Sequence, residues 1–302
     1  MTDDRFHSHR AVSGKNLLVT IILNVIITVA QVIGGIFSGS MALMSDAAHN
    51  FSDVLSLVIS YWAIKISERE QTLKQTYGYK RAGIFAAFIN TAILLVISSF
   101  LVWEAISRLL HPRPVISAII ILLAALGILM NGLSLLFIKK DAESNMNIRS
   151  AFIHLFADML TSAAVLAGGL IIRYLGWIWI DGVLTIIIAI WLVYSSWGIF
   201  YQSVRIFMQF TPSHIDINEI ACAITAIRGI RNIHHVHVWQ LDENEVLLEA
   251  HVDMEEDCTV SGFESILDNV EIVLERFGIH HFNIQPEIHR RDLKELIHPG
   301  KR

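Results

Sequence analysis

Long apolar stretches alternate with short polar connections along the first 200 residues of the chain. About 20 helical residues are needed to cross a hydrocarbon core of about 30 Å. Six stretches are long and apolar enough, at residues 16–37, 41–66, 82–107, 115–138, 149–174 and 178–200. The pattern predicts a short polar tail at 1–15 and a domain of six transmembrane helices at 16–207.

The pattern changes after the last apolar stretch. Thr211-Pro212 followed by Asp216 is typical of a domain entry with a capped helix. Periodicity and turn residues then predict a helix at 216–228, strands at 232–240 and 245–254, a helix at 261–276 and a strand at 281–289. The order helix, strand, strand, helix, strand favours a small α+β domain at 208–302, with its helices on one face of a sheet.

The composition supports this division of the chain. Hydrophobic residues make up 54% of the sequence and charged residues only 17%, whereas soluble domains carry about 25% charged residues. Residues 201–302 hold 17 acidic and 9 basic residues, so this part lacks the positive charge that nucleic acid binding requires. The cysteines, Cys222 and Cys258, form no C-x-x-C pair, so we expect a reducing compartment and metal ligands that are nitrogen and oxygen atoms.

Basic residues in the short connections predict the orientation in the membrane. One side carries eleven of them, and the other carries three, Arg108, Arg113 and Arg173. The eleven are Arg5, Arg10, Lys15, Lys65, Arg69, Lys74, Lys80, Arg81, Lys139, Lys140 and Arg149. Because the richer side includes the N-terminal segment, and six crossings return the chain to that side, we expect both termini to be cytoplasmic.

Two of the apolar stretches contain the same pair of polar residues. His49 and Asp53 are four residues apart in the second stretch, as are His154 and Asp158 in the fifth. On a helix this spacing places both side chains on one face, one turn apart. Two imidazoles and two carboxylates can complete a tetrahedral zinc site, and a cation would offset the cost of burying an aspartate, at least about 2.5 kcal/mol each.

Other interpretations of the intramembrane polar residues stay open at this stage. A single aspartate or histidine can simply pair with a neighbour inside a helix bundle. Asp46, one turn before Asn50, is either an accessory ligand or an interfacial, water-facing residue. Asp181 begins the sixth stretch and is better interpreted as a helix-start residue than as a ligand.

These motifs resemble those of the cation diffusion facilitator family. The resemblance rests on six spans, on SDAAHNFSD at 45–53, on H-x-x-x-D at 154–158 and on HHVHVW at 234–239. It covers nearly the whole chain and is greatest for the zinc-exporting bacterial branch of the family. It implies an inner-membrane homodimer that exchanges Zn²⁺, and as a further candidate Cd²⁺, for protons, with His49, Asp53, His154 and Asp158 as transport ligands.

The resemblance also implies a second zinc site, in a metallochaperone-like cytoplasmic domain. Its matching ligands are His234, His251 and Glu287, and the predicted pairing of the first two strands independently allows the two histidines to meet. Strand histidines that merely face solvent are the alternative. Four more histidines are candidate accessory ligands, His237, His280, His281 and His289. Gln285 replaces a histidine found in some relatives, which argues against a two-zinc cluster.

The sequence therefore favours a proton-coupled zinc exporter over two alternatives. A membrane-embedded zinc enzyme is disfavoured because the chain lacks H-E-x-x-H, and because four protein donors leave no open position for a catalytic water. A metal sensor that does not translocate its ligand would show the same six spans. A deep pair of carboxylates is a costly arrangement for sensing alone.

Overall fold

The computed structural model describes residues 14–67, 69–142, 146–288 and 294–297. Its first part is a series of six long helices. They are α1 (Gly14–Ser38), α2 (Met41–Ser67), α3 (Ala82–Leu110), α4 (Ser117–Ala142), α5 (Met146–Leu175) and α6 (Trp179–Phe207). The described chain divides into two compact units. The first holds the described residues up to Tyr61 together with Ile89–Gly198, and the second holds Trp62–Phe88 and the described residues from Ile199 onward.

The six helices confirm the predicted membrane domain. They differ from the predicted spans in that α1 and α2 are not among the strongly apolar helices of the described residues. Four of them, α3 to α6, are long and apolar enough to cross a membrane. In α1 the apolar segment that the structure describes in full is the shorter Ile22–Ser38. Helix α2 has sufficient length at 27 residues, but Asp46, His49, Asn50 and Asp53 interrupt its apolar character. The polar residues of α2 therefore have to be sheltered by other helices.

Close helix packing in the first unit depends on small residues. Helix α4 packs along both α1 and α5. A Cβ atom on Gly34 of α1 would come within 1.8 Å of a Leu123 methyl group on α4, and one on Gly127 of α4 within 2.8 Å of Ser162 Oγ on α5. Because larger side chains would separate the helices, these glycines permit the close contact that stabilises helix pairs in membranes.

Asp181 joins the start of α6 to the start of α2. Its carboxylate accepts hydrogen bonds from the Ser40 hydroxyl at 2.5 Å, from the Met41 main-chain N–H at 2.8 Å and from the Ala42 N–H at 3.4 Å. These N–H groups are among those that a helix cannot satisfy within its own first turn. Asp181 lies in the first turn of α6, as predicted, and it also caps α2.

The second unit contains the small α+β domain, and its element order confirms the prediction. Helix α7 (Ile217–Thr225) precedes β1 (Ile230–Gln240) and β2 (Val246–Met254), and α8 (Val260–Glu275) precedes β3 (Ile279–Glu287). The sheet order is β1-β2-β3, with β1 antiparallel and β3 parallel to β2. The core joins helix residues such as Ile220 and Leu274 to strand residues such as Leu248 and Val252.

Local sequence explains the ends of these elements. The Asp216 side chain accepts a hydrogen bond from the Asn218 N–H and caps α7, and Thr259 caps α8 in the same way through the Gly262 N–H. Apolar residues alternate along the strands, so one face of the sheet packs on the helices. The last strand begins at Ile279 and ends at Glu287, two residues earlier than predicted at each end.

The connection between α2 and α3 contacts the α+β domain within the second unit. Lys80 Nζ forms an ion pair with Glu245, in the turn between β1 and β2. The Arg81 guanidinium donates to the Leu241 carbonyl oxygen at 3.3 Å. This connection and the C-terminal domain therefore contact each other within the second unit.

We expect Asp181→Ala to lower the thermal stability of the purified protein in detergent. The substitution leaves three buried donors at the start of α2 without their acceptor, and loss of a helix cap typically costs about 1 kcal/mol. A melting curve measures the effect. Asp268→Ala, which removes an exposed carboxylate from α8, is the matched control, and equal melting temperatures for the two variants would contradict the capping role.

Candidate metal sites

Two histidines and two aspartates from α2 and α5 come together inside the first unit. His49 Nε2 lies 2.9 Å from Asp158 Oδ1 and 3.7 Å from Asp53 Oδ2. His154 Nε2 lies 3.1 Å from Asp53 Oδ2 and 3.8 Å from Asp158 Oδ2. One ligand atom from each of the four residues lies within 4.8 Å of all the others. Nitrogen and oxygen donors at these separations suit a tetrahedral zinc ion after small side-chain movements.

The helical spacing of each pair accounts for this arrangement. Each H-x-x-x-D pair presents its two donors one turn apart on the same helix face, so the four-residue cluster forms when those two faces meet. Each carboxylate lies near both imidazoles. Carboxylates and imidazoles therefore alternate around the cluster. The four residues named from the sequence are thus brought together, and their role as metal ligands stays a prediction.

Exposure differs strongly among the four side chains of this cluster. The Asp158 side chain is fully buried, while those of His49 and Asp53 are 13% and 23% exposed. The His154 side chain is 45% exposed. The four side chains are therefore enclosed to different extents, His154 least and Asp158 most.

A second polar network lies beside this cluster and connects α1, α2 and α5. The Gln31 side-chain amide donates to Asp46 Oδ2 at 2.7 Å, and the Ser162 hydroxyl donates to the same oxygen at 3.0 Å. The Asn50 amide donates to Gln31 Oε1 at 2.8 Å. All four side chains are buried, so each hydrogen bond offsets a substantial cost of desolvation.

The network corrects one interpretation of Asp46. Its side chain is fully buried, so the interfacial, water-facing interpretation is wrong. Asp46 also lies outside the group of four clustered donors. The sequence analysis missed Gln31 and Ser162; a glutamine inside an apolar stretch is a usable signal, whereas a serine there is too common to single out.

Three predicted cytoplasmic ligands meet on the face of the sheet that does not pack on α7 and α8. His251 Nδ1 lies 2.9 Å from Glu287 Oε1, and His234 Nε2 lies 3.3 Å from Glu287 Oε2. His234 and His251 are direct partners in the β1–β2 register. His234 and Glu287 are buried, and their ligand atoms and that of His251 lie within 4.8 Å of one another. Two nitrogens and one oxygen match a common zinc donor set.

Two charged residues that the sequence analysis missed also contact this group. Asp253 follows His251 by two residues on β2, so both face the same side of the strand, and Asp253 Oδ2 lies 3.6 Å from His234 Nδ1. Lys294 Nζ lies 3.0 Å from Glu287 Oε2 and 2.8 Å from Asp253 Oδ1. Strand alternation could have indicated Asp253, whereas nothing in the sequence pattern places Lys294 here.

Three of the candidate accessory histidines, all among the described residues, lie outside the clustered donors. His237 and His280 are exposed, and so is His281, whose ring lies 6.2 Å from that of Tyr77. His289 lies outside the described residues.

His235, which no prediction singled out, lies close to the cytoplasmic cluster. Its ring is 4.6 Å from that of His251 and 5.0 Å from that of His237. It lies at a register shift in β1 and has a φ of 53°, a conformation uncommon for residues other than glycine. This bulge brings the His235 ring beside those of His251 and His237. Strict alternation along the strand would not predict that position.

Comparisons with known proteins agree with both parts of this architecture. Residues 17–208 match the cation efflux transmembrane domain family, and residues 212–289 match the cytoplasmic domain family of cation efflux proteins. The first match covers the six long helices, and the second covers the α+β domain from just before α7 to just beyond β3.

Several characterised bacterial proteins are similar along nearly the full chain. The cadmium, cobalt and zinc/H⁺-K⁺ antiporter of Bacillus subtilis is 34% identical over 298 residues, 97% of this chain and 96% of the relative. Zinc transporter ZitB of Pectobacterium atrosepticum is 34% identical over 95% of this chain and 89% of its own length. The metal cation efflux system protein CzcD of Cupriavidus metallidurans is 31% identical over 93% and 89%. This protein belongs to the cation diffusion facilitator family of cation efflux proteins.

Proposed function

We propose that this protein exports Zn²⁺ from the cytoplasm in exchange for protons, with Cd²⁺ as a further substrate. The observation that carries the proposal is the cluster of His49, Asp53, His154 and Asp158 between two membrane helices. Related antiporters named for zinc, cadmium, cobalt and H⁺ support the substrates and the coupling. Cation efflux proteins are transporters, so the membrane-enzyme alternative is wrong.

The chemistry of the cluster suits reversible binding of a divalent ion. Imidazole nitrogen binds zinc better than it binds hard ions such as Mg²⁺ and Mn²⁺, and the two carboxylates compensate the charge of the ion. Histidine also takes up protons near neutral pH. When Zn²⁺ enters from the cytoplasm it displaces protons from His49 and His154, and protons from the opposite side later compete the ion off.

Transport requires that the cluster open to each side of the membrane in turn. Because two ligands come from α2 and two from α5, a movement of one helix group against another changes access to the cluster while keeping donors near the ion. We place the protein in the inner membrane, with both termini in the cytoplasm. The basic α2–α3 connection and its ion pair with the C-terminal domain support that orientation.

The cytoplasmic domain has a regulatory role in this proposal. The protein works as a homodimer, in keeping with the cation efflux cytoplasmic domain family to which residues 212–289 belong. His234, His251 and Glu287 hold a regulatory Zn²⁺, which fixes the spacing of the two protomers and biases the transport equilibrium. Their burial and mutual distances support such a site.

We expect Asp53→Ala and His154→Ala each to reduce zinc flux to the background of protein-free liposomes. Either change removes one of the four donors, and the loss of Asp53 also removes a compensating charge. Zinc uptake into sealed proteoliposomes, measured with an encapsulated zinc-sensitive dye across an imposed pH gradient, tests the expectation. Reversing the gradient should reverse the direction of flux driven by protons.

The control for this experiment is His111→Ala, which removes an exposed histidine after the end of α3 and should leave flux unchanged. Undiminished flux in Asp53→Ala and His154→Ala would contradict the assigned ligands. Zinc binding without flux under any gradient would instead favour the sensor alternative.

We expect the double substitution His234→Ala/His251→Ala to abolish activation of transport by cytoplasmic zinc while leaving basal flux in place. The change removes two of three regulatory donors and leaves the membrane cluster intact. Initial flux rates measured over a range of zinc concentrations on the cytoplasmic side should lack the activation that we expect in the unchanged protein. Activation equal to that of the unchanged protein would remove the regulatory role from this site.

A further inference from the structure

A positively charged side chain lies among the candidate ligands of the cytoplasmic zinc site. Lys294 Nζ lies 2.8 Å from Asp253 Oδ1, 3.0 Å from Glu287 Oε2 and 3.3 Å from His234 Nε2. Two of these three residues, Glu287 and His234, are also members of the clustered donor group. The ammonium group therefore lies against Glu287 Oε2 and His234 Nε2, which are potential donor atoms of two of the three clustered residues.

The main chain holds Lys294 in this position. The His235 N–H donates to the Glu295 carbonyl oxygen at 3.2 Å, and the Val236 N–H donates to the Leu296 carbonyl oxygen at 2.8 Å. The Leu296 side chain packs against the core of the α+β domain. Residues 294–297 thus run beside β1 at its bulge, and this attachment delivers the lysine to the cluster.

We infer that Lys294 is an internal competitor of zinc and sets the metal affinity of the cytoplasmic site. An ammonium group and a Zn²⁺ ion cannot share the same lone pairs, and their charges repel each other. Zinc therefore binds only when it displaces the lysine from Glu287 and His234. The inference rests on the proposed zinc site and adds the residue that determines the concentration at which this site fills.

The surroundings of Lys294 suit a residue that leaves when metal arrives. Its side chain is 32% exposed, whereas that of Glu287 is 2% exposed. A lysine side chain is long and flexible, so its ammonium group can move into water while the stem stays attached to the segment. Gln285 donates to Glu287 Oε1 at 3.0 Å, so one oxygen of this carboxylate keeps a protein partner after the lysine departs.

The test measures zinc affinity in the full-length protein. The background variant is Asp53→Ala/His154→Ala, which removes two donors from the membrane cluster and leaves the cytoplasmic site as the tight one. Competition with a chromophoric zinc chelator gives the dissociation constant in detergent. Adding Lys294→Gln should tighten zinc binding by at least about tenfold, since the side chain keeps a polar end but loses the competing charge.

Two control variants separate charge from other effects. Lys294→Arg keeps the positive charge and should leave the affinity close to that of the background. Glu295→Gln changes an exposed side chain in the same segment and should also leave the affinity unchanged, because the hydrogen bond from Glu295 to β1 is made by its main-chain carbonyl oxygen. A melting curve for each variant verifies that the domain is folded.

The outcomes separate this inference from the proposal on which it rests. Loss of the tight zinc on further substitution of His234 and His251 by alanine, together with a tenfold gain for Lys294→Gln, supports both. Loss of that zinc with unchanged or weakened binding for Lys294→Gln overturns the role of Lys294 alone. Tight zinc that survives the loss of both histidines overturns the cytoplasmic site and, with it, the competitor.

Discussion

The need to stabilise carboxylates inside an apolar helix bundle governs this membrane domain. Asp46 and Asp181 are stabilised by neutral donors, namely amide, hydroxyl and main-chain N–H groups. Asp53 and Asp158 instead face imidazoles. Amide, hydroxyl and main-chain N–H groups donate hydrogen bonds to a carboxylate and do not titrate near neutral pH. An imidazole, in contrast, is itself able to bind a metal ion or accept a proton. The first pair of aspartates thus joins neighbouring helices, and the second pair lies beside groups that are able to bind a metal ion or a proton.

Helix α2 carries two of these carboxylates, Asp46 and Asp53, and therefore depends most on partners from other helices. It is tied to α1 through Gln31, to α3 through Asn90, whose amide donates to the Ser56 hydroxyl at 2.6 Å, and to α6 through Asp181. Its contact with α5 contains the cluster of His49, Asp53, His154 and Asp158. A helix too polar to be counted among the strongly apolar spans is therefore the one with hydrogen-bonded partners on several sides. The packing of the neighbouring helices makes its polarity tolerable.

The sequence predicted those features that depend on spacing within one element. The H-x-x-x-D pairs predicted the membrane cluster because a helical turn fixes their relative positions, and strand pairing predicted that His234 and His251 are opposite each other. Features that join separate elements were missed. The partners of Asp46 on α1 and α5, the capping of α2 by Asp181, and the approach of Lys294 to Glu287 depend on how distant segments pack, which local periodicity does not encode. The bulge at His235 was missed because alternation assumes a regular strand.

The graded exposure of the four clustered side chains, as the proposed transport ligands, bears on the speed of ion exchange more than on its equilibrium. In the proposed transport cycle, a hydrated zinc ion that approaches past the half-exposed His154 would meet the enclosed Asp158 last. The ion would then exchange its bound water molecules for protein ligands one at a time. Stepwise substitution replaces a single high barrier, the removal of the whole hydration shell, by several lower ones. A binding site enclosed equally on all sides could hold zinc as tightly and yet release it too slowly to sustain turnover.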